Sequence, residues 1–395
     1  MCLNQSCTQT CDDMSSIVNP LINTCCYQTT DCDLMDGMLN RIRIEGFKSI
    51  RMCDIELGSM NVLIGSNGSG KSNLLSVFSM LRHIIDGELS LYAGENGNNS
   101  LFFNGLKTTG NIDVRLTFGA NGYGFSLRPS NDGGLMLNDE FFSYSTTDSS
   151  LGRGHRESKW HEGARNGIDP YVKPMFENHA WRIYHFHDTS HNARVKQWSS
   201  LGNNRSLAED AGNLAAFLYM LRHKHEDRYN RIVDSIRLVA PYFDDFVLRP
   251  NPLNEENIRL EWKTVGNDEP FNVHQLSDGT LRFICLATLL LQPSSLQPST
   301  IVIDEPELGL HPAAISILAE MLTEVMERPT SGKQIIISTQ SVELLDCFKM
   351  EDIIVADREG GESVFRRLDP ESFKVWIEDY TLGDLWKKNI LGGRP

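Results

Sequence analysis

A glycine-rich turn between a short apolar segment and an amphipathic segment is the feature that most constrains the fold of this chain. The turn consists of eight residues: Gly65, Ser66, Asn67, Gly68, Ser69, Gly70, Lys71 and Ser72. Residues 61–64 before it are strand-like, and apolar residues recur at helical spacing over 72–85. The glycines let successive N–H groups point at phosphate oxygens, and the helix N-terminus reinforces the attraction. The pattern therefore predicts a phosphate-binding loop in an α/β fold.

Two side chains of this loop carry the expected chemistry. Lys71 is expected to reach the β- and γ-phosphates of a nucleotide, and the Ser72 hydroxyl to ligate Mg²⁺. The backbone of residues 67–70 is expected to surround the phosphates. ATP and Mg²⁺ are thus the predicted cofactors.

A second apolar strand ends in two adjacent carboxylates. Residues 300–303 are followed by Asp304 and Glu305. At the end of a strand both side chains can reach a bound nucleotide. Asp304 is expected to hold Mg²⁺, directly or through water, and Glu305 to polarise the attacking water, while Lys71 assists at the phosphates.

A short polar motif precedes an apolar helix in residues 281–291. It reads Leu-Ser-Asp-Gly-Thr, and its Ser277 comes 27 residues before Asp304. Ser277 and the backbone of Gly279 would lie at a helix N-terminus that suits a γ-phosphate. The alternative is that Ser277 is only an N-cap before a core helix.

In this order the motifs resemble the ABC-type ATPase head of the RecF/SMC-like group: phosphate loop, signature, Walker B, D-loop and switch. Residues 44–49, Ile-Glu-Gly-Phe-Lys-Ser, resemble the first strand of that group. Segments 184–190, 276–280 and 391–395 are similar to the stand-alone bacterial ATPases of the AAA-21-like group. The resemblance extends over residues 38–395.

The resemblance implies a P-loop NTPase of the α/β class with a mixed sheet. Within the head at 38–395, it implies an antiparallel, strand- and loop-rich insertion at 93–180 and a helical lobe at 206–291 that carries the signature. Residues 300–395 would hold Walker B, the D-loop, the switch and a C-terminal hairpin and helix.

The resemblance also implies roles for single residues. Ser277 and Gly279 would contact the γ-phosphate of a nucleotide bound to a second copy, and residues 307–311, the D-loop, would line the interface between copies. His187 and Asp188 occupy the Q-loop position, where many relatives carry Gln.

Gln340 stands where most ABC heads have a switch His, and we expect it to take part in catalysis. Gln can hydrogen-bond a phosphate or water but cannot carry a proton in the same way, so slow hydrolysis is predicted. A signature of LSDGT in place of LSGGQ argues against a role in transport.

Composition restricts the class of protein further. The chain has 395 residues, 40% of them hydrophobic, and a formal net charge of −15. So much apolar material has to be buried, which excludes fibrous and fully disordered classes. No run of 18 apolar residues is present, so no contact with a membrane is expected. The acidic balance disfavours a surface that binds nucleic acid throughout, although a local basic groove is compatible with it.

The cysteines are concentrated at the start of the chain. Six of the nine lie in residues 1–37 without C-x-x-C spacing, so we expect a disordered leader or upstream extension rather than a zinc site. The leader lacks the pattern of a secretory signal, and Met38 is the expected start of the folded part. The three remaining cysteines fit a reducing compartment, which predicts a cytoplasmic location.

Six of the eleven histidines lie in residues 155–191. A metal-dependent nuclease centre is one interpretation, but no His-Asn-His or paired carboxylate spacing accompanies them. We expect a solvated loop, with His185 and His187 sharing one strand face near the nucleotide.

Three functions remain open at this point. The first is an ATP-dependent switch, a homodimer or higher even oligomer, that gates a separate effector such as a nuclease or toxin, in defence against phage. The absence of heptads between Lys71 and Ser277 excludes long coiled-coil arms, and the 54 residues after Ser341 are too few for an added nuclease.

The second function is a RecF-like DNA-repair clamp, in which DNA would be the partner. It depends on two groups of basic residues: Arg41, Arg43, Lys48 and Arg51, and Arg222, Lys224, Arg228 and Arg231. The third is a nucleotide sensor with negligible hydrolysis.

Overall fold

The fold is that of a computed structural model, which describes residues 38–130, 133–145, 147–161, 176, 181–327 and 332–394. A six-stranded sheet lies at its centre, in the order β18-β17-β3-β16-β15-β8. All neighbours are parallel except β17 and β18, which form a hairpin. The strands are β3 Met60–Ile64, β8 Trp181–Tyr184, β15 Thr300–Asp304, β16 Gln334–Thr339, β17 Ile353–Glu359 and β18 Glu362–Arg367.

A second six-stranded sheet is antiparallel throughout, in the order β2-β1-β4-β5-β6-β7. Its strands are β1 Arg41–Phe47, β2 Ile50–Glu56, β4 Ile112–Phe118, β5 Asn121–Pro129, β6 Leu135–Tyr144 and β7 Thr147–Gly152. The strands of segment 93–180 thus extend a sheet that β1 and β2 begin, because β4 pairs with β1.

Helices cover both faces of the central sheet. They are α1 Lys71–Asp86, α2 Leu89–Asn96, α3 Asn98–Leu101, α4 Leu214–Lys224, α5 Glu226–Val239, α6 Asp278–Leu291, α7 Pro312–Glu327, α8 Val342–Leu345, α9 Lys374–Ile377 and α10 Leu382–Lys387. Two small three-stranded sheets flank α4 to α6. Their strands are β9 Ser199–Ser200, β10 Phe243–Phe246, β11 Pro250–Asn251, β12 Asn254–Ile258, β13 Glu261–Thr264 and β14 Asn267–Asn272.

The alternation of side chains along β3 divides the core in two. Val62 and Ile64 belong to one apolar cluster together with α4 to α7, whereas Leu63 belongs to a second cluster with α1 and the antiparallel sheet. Because both faces of these strands are buried, β3 and β15 carry unbroken apolar runs at residues 62–64 and 301–303. This arrangement places the carboxyl ends of β3, β15 and β16 side by side, and the predicted motifs follow directly after these ends.

The predicted strands before the glycine-rich turn and before Asp304 are confirmed, as is the closing hairpin. Two predicted elements differ. The sequence of residues 210–239 is helical in character, but the structure divides this stretch at His225, which has non-helical dihedral angles (φ −143°, ψ 54°) between α4 and α5. The sequence of residues 181–187 favours a single strand that would include His185 and His187, but the strand ends at Tyr184, because the His185 N–H donates to the Glu209 carbonyl oxygen (3.0 Å) instead of to a sheet neighbour.

The described part of the chain contains no helix whose length and apolar character would let it cross a bilayer. The predicted leader at 1–37 lies outside the described residues.

Candidate functional site

The glycine-rich turn joins the fully buried strand β3 to the first residue of α1. Two glycines are required by close approach. A Cβ on Gly65 would lie 2.2 Å from the Ala356 carbonyl oxygen, and one on Gly70 would lie 2.1 Å from the Ser363 hydroxyl. Residues of β17 and β18 therefore form the wall against which the loop is packed. The loop N–H groups and the start of α1, on the side away from this wall, stay the predicted phosphate-binding surface.

Lys71 is folded back over this loop. Its Nζ donates to the carbonyl oxygens of Gly65 (2.6 Å) and Ser66 (3.1 Å), and the residue is only 5% exposed. Burial lowers the pKa of this ammonium group, while the charges of Glu305 and Asp304 act in the opposite direction. The neighbouring Ser72 is exposed at the start of α1.

Asp304 is held from both sides of β15, by strand β16 and by the segment that follows β8. Its carboxylate accepts a hydrogen bond from the Ser338 hydroxyl, and its carbonyl oxygen lies 2.8 Å from His187 Nε2. Since a carbonyl oxygen only accepts, Nε2 of His187 carries the proton. Asp188, in contrast, is exposed, and hydrogen bonding from the Ser190 side chain and from the Ser190 N–H (3.0 Å) lowers the pKa of its carboxyl group.

Glu305 has a left-handed backbone with φ 43°, a conformation that is strained for a residue with a side chain. Its N–H donates to the Ser338 carbonyl oxygen (3.1 Å), and its carboxylate accepts from the Gln340 side-chain amide. Two residues predicted to be catalytic, 35 positions apart in sequence, are therefore in direct contact. Strain of this kind is characteristic of functional sites, where the surrounding structure holds it in place.

The signature turn faces solvent. Ser277 caps α6, because its hydroxyl accepts from the Thr280 N–H (3.1 Å), and both Ser277 and Asp278 are exposed. Ser277 is thus an N-cap, as the alternative interpretation predicts. Because it is also exposed, the same residue remains accessible to a second molecule. A Cβ on Gly279 would lie 2.4 Å from the Gly309 carbonyl oxygen, so the signature turn packs against the D-loop of its own subunit.

Arg282 is a residue that the sequence analysis missed. Its guanidinium donates to the Leu308 carbonyl oxygen (2.9 Å) of the D-loop and to the His187 carbonyl oxygen (2.9 Å) at the Q-loop position. One side chain on the signature helix thereby connects three motifs. The available signal was that Arg282 is the single charged residue within the apolar stretch 281–291.

The first residue of the D-loop makes hydrogen bonds within its own subunit. The Glu307 carboxylate accepts from the Thr339 hydroxyl (2.7 Å) and the N–H groups of Gln340 (2.9 Å) and Ser341 (3.2 Å), while the expected place of residues 307–311 at an interface between copies stays a prediction. Burial raises the pKa of this carboxyl group. Glu307 thus fixes the switch segment, residues 338–341, by hydrogen bonds to three of its residues. Leu308, Gly309 and His311, in contrast, are exposed.

The prediction of a solvated loop is wrong for His155. Its side chain is 8% exposed, and Nε2 lies 2.9 Å from a carboxylate oxygen of the fully buried Glu140. His161 and His191 are exposed, and His179 lies outside the described residues. His185 and His187 follow β8 rather than forming part of it, with ring centroids 6.3 Å apart. Nowhere in the described ranges do three or more His, Cys, Asp or Glu residues form a group that could hold a metal ion.

A mixed central sheet, a glycine-rich loop before α1, adjacent carboxylates after β15 and an exposed signature turn define an ABC-type ATPase head of the P-loop NTPase class. The chain belongs to the family described as "AAA domain, putative AbiEii toxin, Type IV TA system", whose sequence profile matches residues 60–346. The predicted fold class and family are confirmed. Membership of this ATPase family also supports the predicted activity, ATP hydrolysis.

Solved structures show the same fold. An SMC head bound to the C-terminal winged-helix domain of ScpA has a TM-score of 0.58 at 17% identity, covering 85% of this chain and 99% of that one. A second SMC head from Pyrococcus furiosus, with an extended coiled coil and bound to the C-terminal domain of ScpA, has a TM-score of 0.51 at 16% identity, covering 86% and 98%.

Curated relatives are matched over part of their length. The Old nuclease of Escherichia phage P2 is 21% identical over 408 residues, which is 86% of this chain and 62% of the nuclease. The energy-coupling factor transporter ATP-binding protein EcfA of Methanocaldococcus jannaschii is 30% identical over 105 residues, 26% of this chain and 35% of that protein. The chain thus spans less than two thirds of each of these relatives.

Proposed function

We propose that two copies of this ATPase close head to tail around two molecules of ATP and thereby switch a separate effector protein. In each site, the loop of one copy would be completed by Ser277 and Gly279 of the other. The observation that carries this proposal is the exposure of Ser277 and Asp278 at the start of an otherwise buried helix.

The donor sets fit ATP with Mg²⁺. The Ser72 hydroxyl and the Asp304 carboxylate are hard oxygen ligands of the kind that Mg²⁺ prefers, and Lys71 supplies a cation at the loop. Bound Mg²⁺ would neutralise phosphate charge. Glu305 would then accept hydrogen bonding from the attacking water, with Gln340 orienting the carboxylate through the contact it already makes.

His187 is proposed to position Asp304, one of the proposed Mg²⁺ ligands, because its imidazole is hydrogen-bonded to the Asp304 carbonyl oxygen. The Asp188 carboxylate accepts from the Ser190 N–H within its own turn. We therefore propose that Asp188 contacts the nucleotide site only through a bridging water. Because Gln340 cannot accept a proton as a histidine does, turnover is proposed to be slow.

Support for a separate effector comes from the relatives. The two SMC heads are bound to part of a different protein, ScpA, and the Old nuclease links a region of this kind to nuclease activity. The family description, with its toxin and toxin–antitoxin terms, and the phage relative support a role in defence against phage. The free thiols of Cys53, Cys285 and Cys347 suit a reducing compartment, so the proposed site of action is the cytoplasm.

The DNA-clamp alternative is weakened by the surroundings of its basic residues. Five of them lie beside carboxylates: Arg41 and Asp54 (2.6 Å), Arg43 and Glu45 (2.6 Å), Arg51 and Glu362 (3.4 Å), Arg222 and Asp245 (3.8 Å), and Arg231 and Glu324 (2.7 Å). Cations neutralised in this way release few counterions from DNA. Duplex DNA binding that increases with ATP and falls steeply with salt would restore this alternative.

Light scattering tests the switch directly. The mass of a variant that binds but does not hydrolyse ATP is expected to double when ATP and Mg²⁺ are added, and to remain that of one chain with ADP. A constant mass at saturating ATP would contradict the proposal.

Replacement of Arg282 with alanine is expected to lower ATP turnover by about tenfold while leaving nucleotide affinity within about twofold of wild type. The reason is that the variant separates the signature helix from the D-loop and the Q-loop without altering the phosphate loop. Turnover and affinity are measured by phosphate release and by titration with a fluorescent ATP analogue.

Arg237→Ala is the matched control, because Arg237 also lies on a helix and donates to a backbone carbonyl oxygen, that of Asp244 (2.6 Å). Equal turnover of the two variants would show that the Arg282 contacts have no part in catalysis.

A further inference from the structure

The segment Leu391–Arg394 packs against the first glycine of the phosphate loop. Leu391 is fully buried, and a Cβ on Gly393 would lie 3.2 Å from the Gly65 Cα, 2.8 Å from Val355 Cγ1 and 3.3 Å from the Ala356 carbonyl oxygen. No side chain fits at position 393 without displacing one of these atoms. The backbone of this segment is therefore in direct contact with the start of the loop.

Three elements hold this segment in place. The Arg366 guanidinium of β18 donates to the Leu391 carbonyl oxygen, and the Gly393 N–H donates to the Asp357 carboxylate of β17 (2.9 Å). The indole N–H of Trp386, on α10, donates to the Gly393 carbonyl oxygen (2.7 Å). Trp386 is fully buried, so this last hydrogen bond is shielded from water.

The helix that carries Trp386 also contacts the region after the switch. The Gly383 N–H at the start of α10 donates to the Asp346 carboxylate (2.6 Å), which follows α8, and a Cβ on Gly383 would lie 2.3 Å from Val342. Helix α8 begins directly after Ser341, its N-cap, next to Gln340 in sequence. Residues 383–393 thus connect the first residue of the phosphate loop to the end of the switch.

We infer that residues 391–394, together with Trp386, position the phosphate loop for the triphosphate of a nucleotide. This inference rests on the proposed binding of ATP at that loop. Lys71 Nζ donates to the Gly65 and Ser66 carbonyl oxygens, and these hydrogen bonds must break before the ammonium group can reach a phosphate. Gly393 then keeps Gly65 in place, so the loop N–H groups stay directed at the phosphates without a further ordering cost.

The test compares two glycines of nearly equal φ. Gly393 has φ 59° and Gly360, in the β17–β18 turn, has φ 58°, but a Cβ on Gly360 meets no atom within 4 Å. Both alanine variants place a residue with a side chain at positive φ, and of the two only Gly393→Ala presses on the loop. We expect Gly393→Ala to weaken binding of a fluorescent ATP analogue by at least about threefold, and Gly360→Ala to leave it within about 1.5-fold.

A second pair of variants decides the matter if Gly393→Ala does not fold. Trp386→Phe removes the N–H that bonds Gly393 and keeps an aromatic ring, whereas Trp376→Phe changes a tryptophan that is 43% exposed. Binding of the fluorescent ATP analogue is expected to weaken by at least about threefold in Trp386→Phe and to stay within about 1.5-fold of wild type in Trp376→Phe. A purely structural role of Trp386 would lower the melting temperature and leave the affinity for the analogue unchanged.

The outcomes separate the two proposals. Wild-type protein that binds no ATP would overturn the proposed function itself. Wild-type protein that binds ATP, with Gly393→Ala equal to Gly360→Ala and an unchanged affinity for the ATP analogue in Trp386→Phe, would overturn only the positioning role of residues 391–394.

Discussion

Replacing Lys71 with alanine is expected to abolish ATP hydrolysis, with turnover lowered by at least about a hundredfold, or ~2.7 kcal/mol of activation free energy. The ammonium group is buried among the loop carbonyl oxygens, Asp304 and Glu305, where it is positioned to move onto the phosphates. In such a partly buried site a cation is worth far more to a phosphate than it is in water. ATP affinity is expected to fall together with turnover.

Phosphate release and equilibrium binding of a fluorescent ATP analogue measure the two effects. Lys107→Ala, which removes an exposed lysine of the same length, is the matched control and is expected to behave as wild type. If Lys71→Ala is folded by circular dichroism yet still hydrolyses ATP at the control rate, the glycine-rich turn is not the phosphate site.

Glu305→Gln is expected to lower turnover by at least about a hundredfold while ATP affinity stays within about threefold of wild type. It differs in this from Lys71→Ala, which is expected to lower both quantities. Glutamine is nearly isosteric with glutamate, and its carbonyl oxygen can still accept from the Gln340 amide. What it lacks is the charge that polarises an attacking water. The ATP-bound state is therefore expected to accumulate as a dimer of stable mass.

Glu320→Gln, on the exposed side of α7, controls for the loss of a negative charge. Measurements of mass and of phosphate release are needed on the same samples. A Glu305→Gln variant that still hydrolyses ATP at the rate of Glu320→Gln would remove Glu305 from the catalytic step and leave the left-handed backbone at that position without a function.

The phosphate loop and the strand that ends at Asp304 could be predicted from sequence because both depend on neighbours in the chain. An apolar strand, a glycine turn and a helix start specify each other over about 25 residues, and that prediction agrees with the fold. The signature helix is predictable for the same reason, since Ser277 caps an unbroken apolar run.

The contacts that the sequence analysis missed all join distant segments. Arg282 bonds a carbonyl oxygen 95 residues away, and the contact of Gly393 with Gly65 joins opposite ends of the described chain. Glu307 was placed on the interface by its resemblance to a D-loop, and its bonds to the switch backbone were missed because they depend on the register of β15 against β16. His155 was placed in solvent because its neighbours in sequence are polar. Its partner Glu140 lies on β6, a strand of the antiparallel sheet that was not predicted individually from the sequence.

The central claim, that each ATPase site is built from two copies, is tested most directly by mixing two inactive variants. Lys71→Ala lacks the loop lysine, and Ser277→Arg places a bulky cation at the exposed signature turn, so each variant alone is expected to be inactive. A dimer that contains one copy of each has one site in which Lys71 and Ser277 are both intact. An equimolar mixture should therefore recover about a quarter of wild-type turnover, if the sites act independently. A mixture as inactive as its components, or full activity of Ser277→Arg alone, would contradict the account.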